Sequence, residues 1–335
     1  MLKNKLKSKI QEYLLAHNTP IKKFQQNNKL EVDFLAQGEY NINFTIKMGN
    51  KKYVFRVNTS SQLELENQIQ YEYNALKALE ISGVTPKVYY VDDSKNYLDY
   101  GVLIMEFLEG RPLEYQKDLN KAAKIFGRIH SLTTNSVKNN PFILEENIFS
   151  DRIVEGKRLL KNYLQSPIVD KELRAFFNKF IEWAEKNSYK EKYFIDNKWH
   201  VINNTEVNSH NFIIGEERSY LIDWEKPVIS DPCQDLTQFL AITTTLWKTE
   251  TILSKEEKEI FFKTYIANLQ EGDKDIRERV HLYTPYLYLR ALSWCAYAWL
   301  EYQNPDKDIK NMDTFRKIKS YLDINFMENL LREYK

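Results

Sequence analysis

HVINNTEVNSHNFIIGEERSYLIDWEKP, residues 200–227, reads as strand, polar loop, strand, tight turn and strand. Two apolar, β-rich runs at 212–214 and 220–222 flank a turn at 215–218 and predict a hairpin. The polar residues around it therefore fall at strand ends. Glu206 and Asn211 in the loop, and Asp223 at the end of the last strand, gather carboxylate and carbonyl oxygens, a donor set suited to a hard divalent cation such as magnesium.

Upstream of this stretch, residues 30–58 alternate apolar and polar side chains through Phe44, Ile46 and Met48, turn at Gly49-Asn50, and resume at Tyr53, Phe55 and Val57. That is the period of an antiparallel meander. Residues 62–81 carry the 3.6 period of a helix, with Leu65, Ile69, Leu76 and Leu79 as its apolar stripe, and Glu72 falls on that stripe and points inward. Strands are predicted at 87–91 and 101–107, after which Gly110 and Pro112 break the pattern. We place a lobe boundary there, with an N-terminal lobe over 1–107 and a C-terminal lobe over 108–335. Beyond it helical periods dominate at 119–132, 151–164, 171–186, 235–247, 255–269 and 286–302. The N-terminal run 2–16 is amphipathic, and its apolar stripe suits docking on the adjacent domain.

Bulk properties exclude several classes. The chain has 335 residues, long enough for two lobes, and its 48 Lys and Arg against 47 Asp and Glu give a formal charge of +1. Such a balance supplies no field for nucleic acid or acidic lipid. Two cysteines, Cys233 and Cys295, are too few for a disulfide framework or a zinc cluster. No apolar run approaches the roughly 20 residues of a spanning helix, so a cytoplasmic protein without membrane insertion is expected. The five histidines show no paired ligand spacing and there is no nucleophile elbow, which sets aside zinc and Ser-His-Asp hydrolase chemistry.

A β lobe with one inward helix, a short hinge, then a helical lobe carrying NTEVNSHN (204–211), LIDWE (221–225) and DPCQDL (231–236) resembles the aminoglycoside phosphotransferase and choline kinase superfamily. The resemblance covers nearly the whole chain. It implies a two-lobed α+β protein-kinase-like fold and transfer of the γ-phosphoryl of ATP or GTP, with Mg2+, to a hydroxyl of a small molecule: an aminoglycoside, a choline-like amino-alcohol or a sugar. By position it implies that Asn211 and Asp223 hold the metal and that Glu206 stands where the family has its catalytic Asp. The family's loop His is Asn204 here. A carboxylate one methylene longer than Asp is displaced by about 1.5 Å, so an inactive nucleotide-binding or partner-binding module of the same fold is the competing reading.

In the first lobe the resemblance assigns Arg56 to the α- and β-phosphates and Glu72 to holding it, with a buried salt bridge as the plain alternative. Gly38 sits in the loop that would cover the phosphates, although Gly38 and Asn41 equally suit an ordinary hairpin tip. Backbone groups near Glu106 and Leu108 form the implied nucleobase hinge. Asp231, Pro232 and Gln234 have the pattern of a capping box, and Asp235 would brace the catalytic loop. Only seven residues separate Asp223 from Asp231, too short an activation segment to lay out a peptide. The aromatic tract at 288–303, with Trp294 at its centre, and Glu225 beside Asp223 resemble a box for a cationic acceptor. The spacing of those aromatics fits core packing as well.

Overall fold

The computed structural model describes residues 2–17, 19, 29–61, 64–134, 142–304 and 311–334. In chain order the first elements are α1 (Leu2–Ala16), β1 (Leu30–Gln37), β2 (Asn41–Met48), β3 (Lys51–Asn58), α2 (Gln68–Leu79), β4 (Val88–Asp92), β5 (Gly101–Glu106), β6 (Arg111–Pro112), α3 (Tyr115–His130) and β7 (Ile143–Leu144). Next come α4 (Ile148–Gln165), α5 (Lys171–Asn187), α6 (Lys192–Asp196), β8 (Val201–Asn203), β9 (Phe212–Ile214), β10 (Ser219–Leu221) and β11 (Val228–Ser230). The chain continues through α7 (Cys233–Leu240), α8 (Ile242–Lys248), α9 (Lys255–Ile266), α10 (Ile276–Gln303), α11 (Met312–Tyr321) and α12 (Ile324–Leu331). It is a mixed α+β chain with an antiparallel N-terminal sheet and a helical C-terminal region. Two compact units emerge, one comprising 1–143 and 210–228, the other 144–209 and 229–335.

The first unit is built on a five-stranded antiparallel sheet of order β1-β2-β3-β5-β4. Alternation along β2 divides its two faces. Ile42, Phe44, Ile46 and Met48 join Phe55, Val57, Val102 and Ile104 in one core, which Leu6, Ile10, Tyr13 and Leu14 of α1 close. Those four positions recur at one-turn and two-turn spacing, so α1 turns a single apolar stripe to the sheet, as its sequence period implies. The other face of β2 and β3 carries Asn41, Asn43, Arg56 and Asn58, with Asn43 opposite Arg56 and Asn41 opposite Asn58. In the same unit β6, β9 and β10 form a three-stranded sheet of order β10-β9-β6. The predicted hairpin is present, with Ser219 opposite Ile214 and Leu221 opposite Phe212, and Gly215 N donates to Arg218 O across 2.9 Å. The backbone of 109–110 lies so close to it that a Cβ on Gly110 (φ +156°) would meet Ile214 O at 2.6 Å, and one on Gly215 would meet Glu109 O at 3.0 Å.

The second unit is helical apart from short β segments, which Glu145 N to Ile229 O (2.9 Å) and Asn203 Nδ2 to Ser230 O (3.0 Å) tie together. Helix α10 is its axis and packs on α4, α5, α7, α11 and α12. Gly156 lets α4 approach closely, since a Cβ there would meet Leu289 Cγ at 3.2 Å.

Several expected boundaries shift. The helix expected over 62–81 begins at Gln68 and ends in a 3-10 turn over Glu80–Ser82; Leu65 precedes it and 62–63 lie outside the described residues. The helix expected over 235–247 is two, α7 and α8, because Ala241 is extended at ψ 139°. The late aromatic helix starts ten residues earlier than expected and runs through Pro285. An interior proline removes one helix hydrogen bond and costs about 3 kcal/mol; burial of Tyr283, Pro285, Tyr286, Leu289 and Leu292 against surrounding helices offsets it. Asp231 does accept from Cys233 N at 3.0 Å, but the capping box does not close. Gln234 instead donates to Glu145 Oε2 (2.9 Å) and Ser230 Oγ (2.6 Å), and the second Asp231 oxygen pairs with Arg279. Among the described residues no helix is long and apolar enough to cross a membrane.

Candidate functional site

In the first unit, β3 and α2 bring a charged group into an apolar setting. Arg56 is 6 % exposed and Glu72 1 % exposed. Glu72 lies one turn from Gln68 and one turn from Leu76, on the stripe that packs inward, so the helix period forces its carboxylate into the interior. Arg56 Nη1 bonds Glu72 Oε1 and also reaches Asp223 Oδ1 at 3.2 Å, while Arg56 Nε donates to Asn43 Oδ1 at 3.0 Å. Burial works against the Arg56 charge, but the carboxylates of Glu72, Asp223 and Glu225 hold its guanidinium above the ordinary range. Burial raises Glu72 to about 7, with the Arg56 charge pulling the other way. Its second oxygen, Oε2, is buried and has no hydrogen-bond partner among the described residues.

Asp223 ends the β10 strand run with φ +65°, a left-handed conformation that costs a non-glycine residue about 1 kcal/mol or more. The turn is held by Ile222 N donating to Asn211 O (2.8 Å) and by Trp224 Nε1 donating to Leu221 O (3.0 Å). Asn211 and Asp223 are thus neighbours through the backbone, as the sequence reading required. Glu225, two residues on, is buried and accepts from Asn41 Nδ2; its carbonyl accepts from Gln68 Nε2 at 2.6 Å. Carboxylate oxygens of Asp223 and Glu225 lie within 4.8 Å of each other. Carboxylate oxygens of Asp223 and Glu225, with Asn211 joined to the same turn through its backbone, are hard donors of the kind a divalent cation such as Mg2+ takes.

Gly38 closes the β1–β2 turn, its N–H donating to Asn41 O at 2.9 Å, and a Cβ there would meet nothing nearer than that oxygen at 3.9 Å. Glu106 ends β5, where its N–H donates to Lys87 O (2.8 Å) and its carboxylate accepts from Lys87 N (3.1 Å). With Leu108, Phe107, Arg111, Ile214 and Tyr220 it lines a cleft of about 850 Å3.

The second unit carries the loop with Glu206. Asp235, fully buried on α7, accepts from Asn204 N (2.7 Å) and Thr205 N (2.8 Å), one carboxylate oxygen to each. It braces the loop, as the family resemblance implies. Asn204 is itself buried, and its Oδ1 accepts from Glu206 N at 3.0 Å. Thr205 takes φ +67°, and Glu206 is half-buried. Asn204 thus supplies a local turn contact that sets the backbone of Glu206. In the same unit Trp294 is 41 % exposed and Tyr297 40 %, and Trp294 meets Trp247 edge to face at 5.6 Å between centroids. Trp299 packs on Tyr163 at 5.8 Å and Tyr302 stacks on Phe315 at 5.0 Å, which accounts for these two rings of the aromatic tract as packing.

Three polar residues of the first unit escaped the sequence reading: Asn43, Asn58 and Gln68. Their signal was available. Gln68 stands one turn before Glu72 on the inward stripe, and asparagines alternate with core residues along β2.

The model of the phosphotransferase enzyme family matches residues 31–274. A search of curated proteins returned no match. Among solved structures, choline kinase from Cryptosporidium parvum Iowa II is 15 % identical at a TM-score of 0.68, covering 97 % of this chain and 96 % of its own. A choline/ethanolamine kinase family protein from Mesorhizobium loti is 18 % identical at a TM-score of 0.61, covering 98 % of each chain. Spectinomycin phosphotransferase, solved in complex with ADP and spectinomycin, is 15 % identical at a TM-score of 0.55, covering 89 % of this chain and 91 % of its own. These likenesses show the protein-kinase-like fold of small-molecule kinases. With the family model spanning residues 31–274, the chain belongs to the phosphotransferase enzyme family.

Proposed function

We propose that the protein transfers the γ-phosphoryl group of ATP or GTP to a hydroxyl of a small molecule. The observation that carries this reading is the Arg56–Glu72–Asp223 cluster, in which one guanidinium is shared between a helix carboxylate and a strand-end carboxylate. Phosphoryl transfer depends on positioning and on neutralising phosphate charge; in this reading Arg56 supplies positive charge and the two carboxylates position it. Asn211, Asp223 and Glu225 would hold Mg2+, which when bound would supply charge to neutralise the phosphates. Arg56 binds the α- and β-phosphates, Glu72 keeps Arg56 extended, and the turn at Gly38 covers the phosphates. Backbone groups at Glu106 and Leu108 receive the nucleobase. The Glu206 carboxylate orients the acceptor hydroxyl and takes its proton. In this reading the functional lobes divide at 107/108, the protein works in the cytoplasm, and its partners are small molecules.

The acceptor classes are aminoglycosides, choline-like amino-alcohols and sugars. Trp294, held exposed beside Trp247, supports a π face for a cationic acceptor. Glu225 was assigned there from sequence, but burial and its bond to Asn41 favour a place with the metal. The second reading, an inactive module that binds nucleotide only, is favoured by Glu206 in place of the family's Asp. The experiment that tests the proposal is a thermal shift with ATP, with and without Mg2+. Wild type should gain stability only with both present, by about 2.7 kcal/mol at 100 times Kd, and Asp223→Ala should lose that gain. An unchanged gain in Asp223→Ala removes the cluster from nucleotide binding. Product ADP released on a panel of amino-alcohols, aminoglycosides and sugars then separates kinase from inactive module, and Glu206→Gln should lower that rate about 10²- to 10⁴-fold.

A further inference from the structure

The polar face of β2 and β3 holds a chain of side-chain amides that the proposed chemistry has not used. Asn58 Nδ2 donates to Ser60 O (2.8 Å) and to Asn41 Oδ1 (3.0 Å). The second bond occupies the carbonyl end of the Asn41 amide, so its NH2 end faces the other way, where it donates to Glu225 Oε2. Asn41 is 5 % exposed and Glu225 8 % exposed, so water competes little for this bond. A parallel chain reaches the backbone of the same residue. Ser61 Oγ donates to Gln68 Oε1 (2.5 Å), which turns the Gln68 NH2 toward Glu225 O at 2.6 Å. Tyr71 Oη donates to Pro227 O, a further clamp two residues downstream. Each amide has its orientation set by a donor behind it, and both end on Glu225.

We propose that Asn41 is a positioning residue for the cation site: the Asn58–Asn41 relay fixes the Glu225 carboxylate near Asp223, while Gln68 fixes the Glu225 main chain. The inference rests on the metal assignment made above for Asp223 and Glu225. A carboxylate that ligates a cation is normally oriented by an outer hydrogen bond, and losing that bond lowers metal affinity about 10- to 100-fold. Here the outer bond comes from the β1–β2 hairpin, the segment assigned to cover the phosphates. The relay therefore ties the position of that hairpin to the aim of a metal ligand.

The test is a Mg2+ titration of the thermal shift produced by a non-hydrolysable ATP analogue at fixed concentration, a readout independent of turnover. Asn41→Ala should raise the Mg2+ concentration for half-maximal shift about 10- to 100-fold. Asn58→Ala, which touches neither Glu225 nor any assigned ligand, should raise it less, by freeing the Asn41 amide to turn over. The double variant should require no more Mg2+ than Asn41→Ala alone, because both act through one bond. An unchanged Mg2+ requirement in Asn41→Ala, with only the ligand-free Tm lowered, overturns the proposal and leaves Asn41 a hairpin brace. Additive shifts in the double variant overturn the relay as well. If Asn41→Ala does not fold, Asn58→Ala alone decides, and no shift in its Mg2+ requirement counts against the proposal. Absence of any Mg2+-dependent shift in wild type overturns the metal assignment itself, an outcome distinct from the others.

Discussion

Two buried carboxylates, Glu72 in the first unit and Asp235 in the second, are almost equally hidden from water at 1 % and 0 % exposure, yet they are held in opposite ways. Asp235 gives one oxygen to each of two backbone N–H groups in the 204–205 turn. Glu72 gives one oxygen to Arg56, and its other has no hydrogen-bond partner among the described residues. The difference separates a carboxylate that fixes the shape of a loop from one that is paired with charge: the first is satisfied by backbone N–H groups, the second by a guanidinium that phosphate would also attract.

Removing the cation should break the comparison most severely. Arg56→Met leaves Glu72 buried beside no guanidinium and should lower stability by about 3–5 kcal/mol, measured as a urea unfolding midpoint at neutral pH. If Arg56→Met unfolds at the wild-type midpoint, the pair is incidental to the fold. Asp235→Asn keeps one carbonyl for one loop N–H and turns an amide NH2 against the other. It should lose about 1–3 kcal/mol, and because it moves the Glu206 loop it should also lower ADP release on any active acceptor. A full-rate Asp235→Asn enzyme would deny the brace its role.

The pH dependence sharpens the contrast further. Glu72 ordinarily titrates near 4.5 and is raised to about 7 in the fold, burial first, with Arg56 opposing. Between those values the folded chain keeps a proton that the unfolded chain has released, so the contribution is full below about 4.5 and is lost as pH rises through about 7. The difference in stability between wild type and Glu72→Gln should therefore change across that window, by no more than about 1.4 kcal/mol per pH unit. It should be flat outside it. The smallest effect is expected at Gly38. A methyl group there meets only Asn41 O at 3.9 Å, so Gly38→Ala should shift stability by less than about 0.5 kcal/mol; a larger loss would mean the turn needs glycine for more than space.

The β2–β3 meander, the β9–β10 hairpin and the inward Glu72 were all legible in the sequence, because each rests on a period of 2 or 3.6 that burial enforces on one face. That Asn211 comes next to the strand end carrying Asp223 was legible from their spacing on either side of the hairpin. Long-range polar pairing was not. Asp231 and Gln234 satisfied the local capping pattern, yet Arg279, remote in sequence, claims one Asp231 oxygen and Glu145 claims the Gln234 amide. Asn41 read as turn chemistry because it closes a short polar stretch that opens on Gly38, and only the folded β2–β3 pair places Asn58 behind it. The start of α10 was hidden by Pro285, since the local penalty is visible in sequence and the burial on all sides that offsets it is not.

The tight apposition of the 109–110 backbone to the hairpin has a consequence for how this gene can vary. Every single-base change in a glycine codon that still encodes an amino acid other than glycine adds a Cβ. At Gly110 that atom would meet Ile214 O at 2.6 Å in a backbone conformation that L side chains rarely adopt, and at Gly215 it would meet Arg218 O at 2.7 Å. Both codons should therefore be silent-only positions, and in a library of random point mutants selected for folded protein they should stand among the most depleted. Gly38, Gly83 and Gly272 share the same codon family, and a Cβ at any of them meets nothing closer than 3.9 Å; Gly38, which has no left-handed backbone angle to defend, should be the one that drifts.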